Sequence, residues 1–234
     1  MRAIQFQNKR VGSTFLQKAI DSHPDIAGID ELFVNIARKE GMRKSGFKPY
    51  KRTTYNNPAN YIKQEIWSSY PPIMSVIFKL MYNQIDNHSG LHRFIVDNKL
   101  PIIHLIRRNL VKQVISNQNS GTTEHAPIKI TPNALLFKVN EFENLNNKWK
   151  DSFKGHKKLT LYYDDIIGVK TNAFTFVEND ANIAICDFFG VKHLPLFTNT
   201  KKKNKNDIWT YLQNREGVEK GFKGTKFQWM VEEE

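Results

Sequence analysis

The start of the sequence holds the feature that most constrains the fold. Residues 3–7 (AIQFQ) alternate between apolar and polar side chains, which predicts a short β-strand. Residues 13–22 carry apolar side chains at helical spacing, so we predict a helix with Ser13 as its N-cap and Pro24 beyond its end. A strand, a polar loop and a helix in this order let loop N–H groups and the helix N-terminus face an anion.

Segments that predict strands and helices continue to alternate along the chain. Further strands are predicted at 76–80, 100–106 and 159–163. Further helices are predicted at 31–40, within 73–87, and at 109–119, 132–154, 180–189 (capped by Gly190) and 207–214, with a polar surface loop at 45–60. This alternation predicts an α/β fold with a central, mostly parallel sheet flanked by helices. The length of 234 residues favours one domain over 1–234.

Composition excludes several classes of protein. Hydrophobic residues make up 40% of the chain, which is too many for an intrinsically disordered protein. The longest apolar runs are far shorter than a membrane span, and residues 1–5 lack the apolar stretch of a signal peptide. Because Cys186 is the single cysteine, an internal disulfide and a multi-cysteine zinc site are excluded. We therefore expect a soluble, cytoplasmic protein with no transmembrane segment.

The net charge of +12 predicts an anionic partner, and by itself it fits nucleic acid, a membrane surface or a small phosphate. The charge is clustered, most densely at 38–52, where seven basic residues accompany one acid. Such runs are more often solvated surfaces than sites, so each needs a motif before it is given a role. The sequence contains no helix-turn-helix, zinc-finger or RNP pattern, and we expect no specific nucleic-acid partner.

The loop after the first predicted strand has the composition of an anion site. Gly12 lets the backbone approach a ligand closely, Ser13 and Thr14 supply hydroxyl donors, and Arg10 supplies a fixed charge. The loop is not a Walker A motif, because no Gly-Lys-Ser/Thr follows a first glycine at the required spacing. This difference argues against an ATPase or a standard kinase.

A second motif follows the predicted strand at 100–106. Arg108 lies just after this strand, at the edge where open α/β sheets bind ligands. Ser116 comes eight residues later, about two helical turns along the next predicted helix. An arginine fork and a serine hydroxyl suit a terminal phosphate.

Four stretches together resemble the sulfotransferases that use 3′-phosphoadenosine 5′-phosphosulfate (PAPS), of the carbohydrate and bacterial type. In the order of that family, they are KRVGSTFL (9–16), SHPDIAGIDELF (22–33), IIHLIRRNLVKQVIS (102–116) and LTLYYDDI (159–166). The resemblance implies a three-layer, P-loop-like α/β fold and PAPS as the co-substrate, with 3′-phosphoadenosine 5′-phosphate (PAP) as its product and no metal.

For the 5′ end of the nucleotide, the resemblance implies a role for five residues. Arg10 stands where the family has a basic residue that touches the transferring sulfuryl group, so it would be both catalytic and cofactor-binding. Gly12, Ser13 and Thr14 would hold the 5′-phosphosulfate. Phe15 stands where cytosolic members have an aromatic residue that packs near the adenine.

For the 3′ end, the resemblance implies that Arg108 and Ser116 hold the 3′-phosphate. The later 3′-phosphate loop of the family is indistinct in this sequence. Lys202, Lys203 and Lys205 are the candidates that would substitute for it.

The resemblance also implies in-line sulfuryl transfer to a hydroxyl of a carbohydrate or small metabolite. Glu31 matches the glutamate proposed as general base, and the neighbouring Asp30 is the alternative. Lys79 has two interpretations, an active-site lysine or a lysine on an edge strand. His104 lies within an apolar strand, which predicts a core histidine rather than a catalyst.

Two other classes of function remain as alternatives at this point. One is a basic nucleic-acid-binding protein, which would bind DNA or RNA with a steep dependence on salt. The other is a different nucleotide-dependent transferase, such as a kinase without a standard Walker A loop.

Overall fold

The computed structural model describes residues 1–33, 47, 50–55, 57–88, 90–119, 127–200 and 207–232. Its centre is a five-stranded sheet in which every neighbouring pair of strands is parallel. The strands are β1 (Arg2–Gln7), β2 (Ile26–Ile29), β3 (Ser75–Met81), β4 (Ile102–Ile106) and β5 (Lys158–Tyr162). Their order across the sheet is β2-β3-β1-β4-β5. The predicted α/β fold with a parallel central sheet is therefore confirmed.

Helices, short helical turns and a second sheet complete the described part of the chain. The α-helices are α1 (Ser13–Asp21), α2 (Arg52–Tyr55), α3 (Pro58–Tyr61), α4 (Tyr82–Asn87), α5 (Leu91–Asp97), α6 (Leu110–Gln118), α7 (Pro132–Asp151), α8 (Asn179–Phe189), α9 (Arg215–Phe222) and α10 (Trp229–Glu232). A π-helical turn spans Ile62–Ile66, and 3₁₀ turns span Trp67–Ser69, Tyr163–Asp165 and Ile208–Thr210. A small antiparallel sheet contains β6 (Ile167–Lys170), β7 (Thr175–Val177) and β8 (Phe197–Thr198).

Alternation of side chains along β1 separates two hydrophobic cores, one on each face of the sheet. Ile4 and Phe6 belong to one core, which also contains residues of α4, α5 and the end of α7. Ala3 belongs to the other, which contains residues of α1 and α8. Each face of the sheet is thereby covered by helices, which gives the three layers that the resemblance implied.

The strand order places a crevice at the carboxyl end of β1. From β1 the chain passes through α1 to β2 and β3 on one side, and then crosses to β4 and β5 on the other. The loops after β1 and β4 therefore leave the same edge in opposite directions, which is where open α/β sheets bind ligands. Both motifs singled out in the sequence lie at this edge.

Several boundaries differ from the predictions. The N-cap of α1 is Gly12 rather than Ser13, because Gly12 adopts the left-handed conformation (φ 81°) and Ser13 is already helical. The predicted loop at 45–60 contains α2 and the start of α3, and Tyr55 in α2 is buried. Residues 31–33 are not helical, and the rest of the helix predicted at 31–40 lies outside the described residues.

The carboxyl-terminal part of the chain also differs from the prediction. Of the helix predicted at 207–214, the structure forms only a 3₁₀ turn, and the regular helix α9 begins at Arg215. No helix in the described part of the chain is long and apolar enough to cross a membrane.

Candidate functional site

The loop between β1 and α1 makes a tight turn through two left-handed residues. Arg10 has a φ of 64° and Gly12 a φ of 81°. A Cβ atom at Gly12 would lie 2.0 Å from the ring of Tyr163, which follows β5. Burial raises the pKa of Tyr163, so the packed ring stays neutral at physiological pH. Glycine is thus required at position 12 for two reasons: the left-handed backbone conformation, and the lack of space for a Cβ atom beside the Tyr163 ring.

The amino end of α1 is available to an anion. Among the described residues, no side chain caps this end, and its first turn contains no acidic residue. The backbone N–H groups of Phe15 and Leu16 are used within the turn, since both donate to the carbonyl of Gly12, at 3.0 and 3.3 Å. The N–H groups of Ser13 and Thr14 and the Thr14 hydroxyl are therefore the donors that this end of the helix can offer to an anion.

Two buried polar side chains lie where β1 meets the loop. Gln7 and Asn8 are at most 6% exposed. Within the part of the chain that the structure describes, Gln7 Oε1 and Asn8 Nδ2 have no hydrogen-bond partner. Buried polar atoms usually find partners, so this edge of the sheet fits a polar ligand.

The β4–α6 segment fixes the loop from its other side. Arg107 lies against the Tyr163 ring, with Cζ 5.3 Å from the ring centre, and donates to the carbonyl of Arg10 at 3.5 Å. Gln113 of α6 donates to the carbonyl of Lys9 at 2.8 Å. These contacts make the loop part of a rigid unit with β4 and α6.

Arg10 and Ser116 contact each other directly. Arg10 Nε donates to the backbone carbonyl of Ser116 at 2.9 Å and to its hydroxyl at 3.3 Å. Desolvation by surrounding atoms lowers the pKa of Arg10, although an arginine remains charged at neutral pH. The structure therefore brings together one residue from each of the two predicted anion-binding segments.

Arg108 lies in the short connection between β4 and α6. Its Cζ is 4.2 Å from the centre of the Tyr162 ring, and its Nη1 is ion-paired with Asp165. Both side chains of the ion pair are 49% exposed. Arg108 is thus held at the surface of the crevice by an aromatic face and a carboxylate.

A second ion pair lies beside the amino end of α1. Lys79, near the end of β3, is only 2% exposed, and its Nζ is ion-paired with Asp30 and lies 3.5 Å from the Thr14 hydroxyl. The interpretation of Lys79 as an edge-strand residue is wrong, because β3 has a neighbour on each side. Glu31 follows directly, and its backbone N–H donates to Asp30 Oδ1 at 2.9 Å.

The remaining predicted site residues are placed differently. Phe15 is 5% exposed and packs edge-on against Tyr163 within the core, with ring centres 6.4 Å apart, which favours a packing role over contact with adenine. Lys202, Lys203 and Lys205 lie outside the described residues. The predicted core histidine is confirmed, since His104 is 1% exposed and hydrogen-bonded to the Tyr82 hydroxyl.

Among the described residues, no cluster of three or more His, Cys, Asp or Glu side chains could hold a metal ion. Sequence reasoning missed the contacts of Tyr162 and Asp165 with Arg108. In the sequence, the segment YYDD (162–165) stands out only as part of the stretch at 159–166. Its position after β5, the strand that pairs with β4, was the one signal that could have placed it beside Arg108.

Neither a protein-family model nor a curated protein sequence matches this chain. A solved structure does match: the crystal structure of a sulfotransferase from Alicyclobacillus acidocaldarius. The two chains are 12% identical, the match covers 99% of this chain and 95% of that one, and the TM-score is 0.50. A similarity at this level of identity establishes a shared fold over nearly the whole chain.

Proposed function

We propose that this protein transfers a sulfuryl group from PAPS to a hydroxyl group of a carbohydrate or small metabolite and releases PAP. The observation that carries the proposal is the contact between Arg10 and Ser116. The resemblance to the PAPS-dependent family implies that these residues serve opposite ends of one nucleotide. Their contact at the crevice of a parallel sheet supports a single compact nucleotide site.

The residues present fit a nucleotide with phosphates at both ends. The N–H groups at the start of α1, with Gly12, Ser13 and Thr14, would hold the 5′-phosphosulfate by hydrogen bonds and by the helix dipole. Arg108 and Ser116 would hold the 3′-phosphate, and we propose Lys202 and Lys203 as further cations for it. PAPS supplies the activated sulfuryl group when it is bound.

Lys79 and Arg10 would stabilise the charge that develops during transfer. Lys79 Nζ lies beside Thr14 at the amino end of α1, so its ammonium charge adds to the positive end of the helix dipole. Arg10 extends from the same loop toward Ser116. Because Lys79 is buried, it would act as a preorganised charge that needs no rearrangement during the reaction.

Glu31 is the proposed general base. The resemblance carries this choice, because Glu31 matches the glutamate of that family, and the neighbouring Asp30 is ion-paired with Lys79. In the proposed reaction, the acceptor hydroxyl oxygen attacks sulfur and its proton moves to Glu31. The bond between sulfur and the bridging phosphate oxygen breaks, and the electron pair leaves with PAP.

Binding and turnover test this proposal in two steps. Calorimetric titration should show that PAP binds more tightly than 5′-AMP or ATP, and ³⁵S-labelled PAPS should label members of a hydroxyl-bearing metabolite and glycan panel. PAP binding no stronger than 5′-AMP binding would refute the nucleotide assignment. A clear preference for ATP would instead favour a kinase-like transferase.

Two variants separate nucleotide binding from chemistry. Arg108→Ala should weaken PAP binding about tenfold or more, because a charge-assisted contact to phosphate is lost. Arg93→Ala, which removes an arginine that is ion-paired on the exposed face of α5, is the matched control. Glu31→Gln should leave PAP binding unchanged and abolish most transfer, and unchanged turnover in this variant would remove Glu31 from the mechanism.

A further inference from the structure

The contacts of Arg108 show two distinct kinds of restraint on one guanidinium group. The group lies over the Tyr162 ring, with Cζ 4.2 Å from the ring centre. One edge, through Nη1, is ion-paired with Asp165. A guanidinium has five N–H donors in a fixed plane, so a partner on one edge leaves further donors for a second anion.

The sheet register explains why Tyr162 can hold this plane. Tyr162 ends β5 directly opposite Ile106, which ends β4, and Arg108 follows two residues later. The ring therefore comes from a paired strand rather than from a flexible loop. Stacking on an aromatic face orients the guanidinium whether or not Asp165 is present.

The ion pair with Asp165 is, by contrast, easily displaced. Both of its side chains are about half exposed, at 49%. Exposed pairs of this kind contribute about 0–1 kcal/mol, because water and salt screen the attraction. A phosphate dianion offers Arg108 more charge and more acceptor atoms than one carboxylate does. Once such a group is bound, the nearby Asp165 carboxylate repels it.

We propose that Asp165 competes with the 3′-phosphate for Arg108 and so holds down the affinity for PAP, while Tyr162 is the positioning residue that keeps Arg108 in place. The inference rests on the proposed function, since it assigns Arg108 to the 3′-phosphate. Asp165 neutralises Arg108 in the absence of nucleotide. A nucleotide with a 3′-phosphate displaces it, whereas a nucleotide with only a 3′-hydroxyl carries no charge there to do so.

The test is calorimetric titration of PAP and 5′-AMP at one fixed ionic strength. Asp165→Asn should tighten PAP binding about fivefold, since it removes both the competitor and the repulsion. The affinity for 5′-AMP should stay the same within about twofold, because this ligand lacks the displacing group. Asp97→Asn is the matched control: it removes an equal charge from an exposed ion pair on α5 and should change neither affinity.

Variants of Tyr162 should move PAP affinity in the opposite direction. Tyr162→Leu should weaken PAP binding about fivefold through loss of stacking, and Tyr162→Phe should retain wild-type affinity because it keeps the ring. A purely structural role for this corner of the fold would weaken binding in both the Asp165 and the Tyr162 variants. Thermal melts of each variant confirm that the fold is intact.

Each outcome distinguishes this inference from the proposed function. In one outcome, the wild-type protein binds PAP selectively while Asp165→Asn leaves the PAP affinity unchanged or lowers it. That result would refute the inference that Asp165 competes with the 3′-phosphate, and the proposed function would stand. If the wild-type protein does not bind PAP, both are overturned together. Equal tightening of PAP and 5′-AMP by Asp165→Asn would also refute the inference, because it would show that Asp165 does not compete with the 3′-phosphate.

Discussion

Two ion pairs flank the loop after β1, and they differ in how far water reaches them. In the Lys79–Asp30 pair, the lysine side chain is 3% exposed and the aspartate 47%. In the Arg108–Asp165 pair, both side chains are 49% exposed. Lys79 cannot recover its hydration if Asp30 leaves, so this charge is fixed in place. Arg108 can exchange its carboxylate for water or another anion at little cost.

The comparison indicates that Lys79 and Arg108 have different roles at the same edge of the sheet. A fixed charge suits the group at which new charge develops, because it needs no reorganisation. An exchangeable charge suits the anchor of a ligand that must enter and leave. Variants of the residues around these two charges test the difference between a fixed and an exchangeable charge.

The fixed charge should have the largest effect on chemistry. Lys79→Met keeps an unbranched side chain in β3 and removes the ammonium, and we expect the turnover number to fall about 10²–10³-fold. The affinity for PAP should change far less, since the exchangeable anchor at Arg108 is untouched. Single-turnover assays with labelled PAPS measure the first quantity and calorimetry the second. Turnover within about tenfold of wild type would contradict a catalytic charge at Lys79.

Gly12 lies in the loop after β1, and among these variants its replacement should cause the largest loss of stability. Gly12→Ala combines a left-handed backbone with a Cβ that would lie 2.0 Å from the Tyr163 ring, so we expect a loss of about 3 kcal/mol in the free energy of unfolding. Gly155→Ala is the matched control. Its φ is 86°, but nothing lies within 4 Å of the added Cβ, so the expected loss is about 1 kcal/mol. Urea denaturation measures both, and equal losses would contradict the Tyr163 contact.

The buried His104 extends the comparison to a group that stays uncharged in the folded protein. Burial, together with the positive charges of Lys158 and Lys150, lowers its pKa from 6.5 to about 4. As the pH falls below 6.5, the unfolded chain therefore binds a proton that the folded chain does not. The free energy of unfolding should fall by about 2 kcal/mol between about pH 7 and pH 5 from this group alone.

His104→Gln provides the comparison for this prediction. The variant lacks the titrating ring, so its pH dependence should be shallower than that of the wild-type protein by that amount. Chemical denaturation at both pH values measures the difference. Parallel pH profiles of the two proteins would show that His104 does not stay neutral in the fold.

The two aspartates should differ in their effect on stability, which is the smallest of the expected changes. Asp30→Asn leaves the buried Lys79 ammonium without its carboxylate, and we expect a loss of about 2 kcal/mol. Asp165→Asn removes half of an exposed pair, and the loss should be below about 1 kcal/mol. Denaturation curves for the two variants measure these values. Similar losses would break the distinction between a fixed and an exchangeable pair.

Local pattern in the sequence predicted most of the central layer. Strands β1, β4 and β5 and the helices after β1 and β4 follow from alternation and helical spacing. Strand β2 was missed, because IAGI at 26–29 is short and has no alternation. In α1 the helix begins one residue before the position expected, because Gly12 and not Ser13 is the N-cap and Ser13 is already helical.

The pairings within the site could not be read from local pattern. The Lys79–Asp30 pair depends on β3 lying between β2 and β1, which is a property of the strand order. The Arg108–Asp165 pair depends on the register of β4 with β5. The residue types of the site could be predicted from the sequence, but their partners are set by long-range sheet geometry.

The contacts that fix the loop have a consequence for the kinetics of ligand binding. The carbonyls of Lys9 and Arg10 accept hydrogen bonds from Gln113 and Arg107, and Arg10 in turn donates to Ser116. The loop is therefore already ordered by the folded chain, so an arriving anion needs no rearrangement of the loop backbone. Displacement of the exposed Asp165 side chain from Arg108 is a fast side-chain movement. Association should follow a single exponential whose rate rises linearly with ligand concentration, as expected for one-step capture by a preformed site.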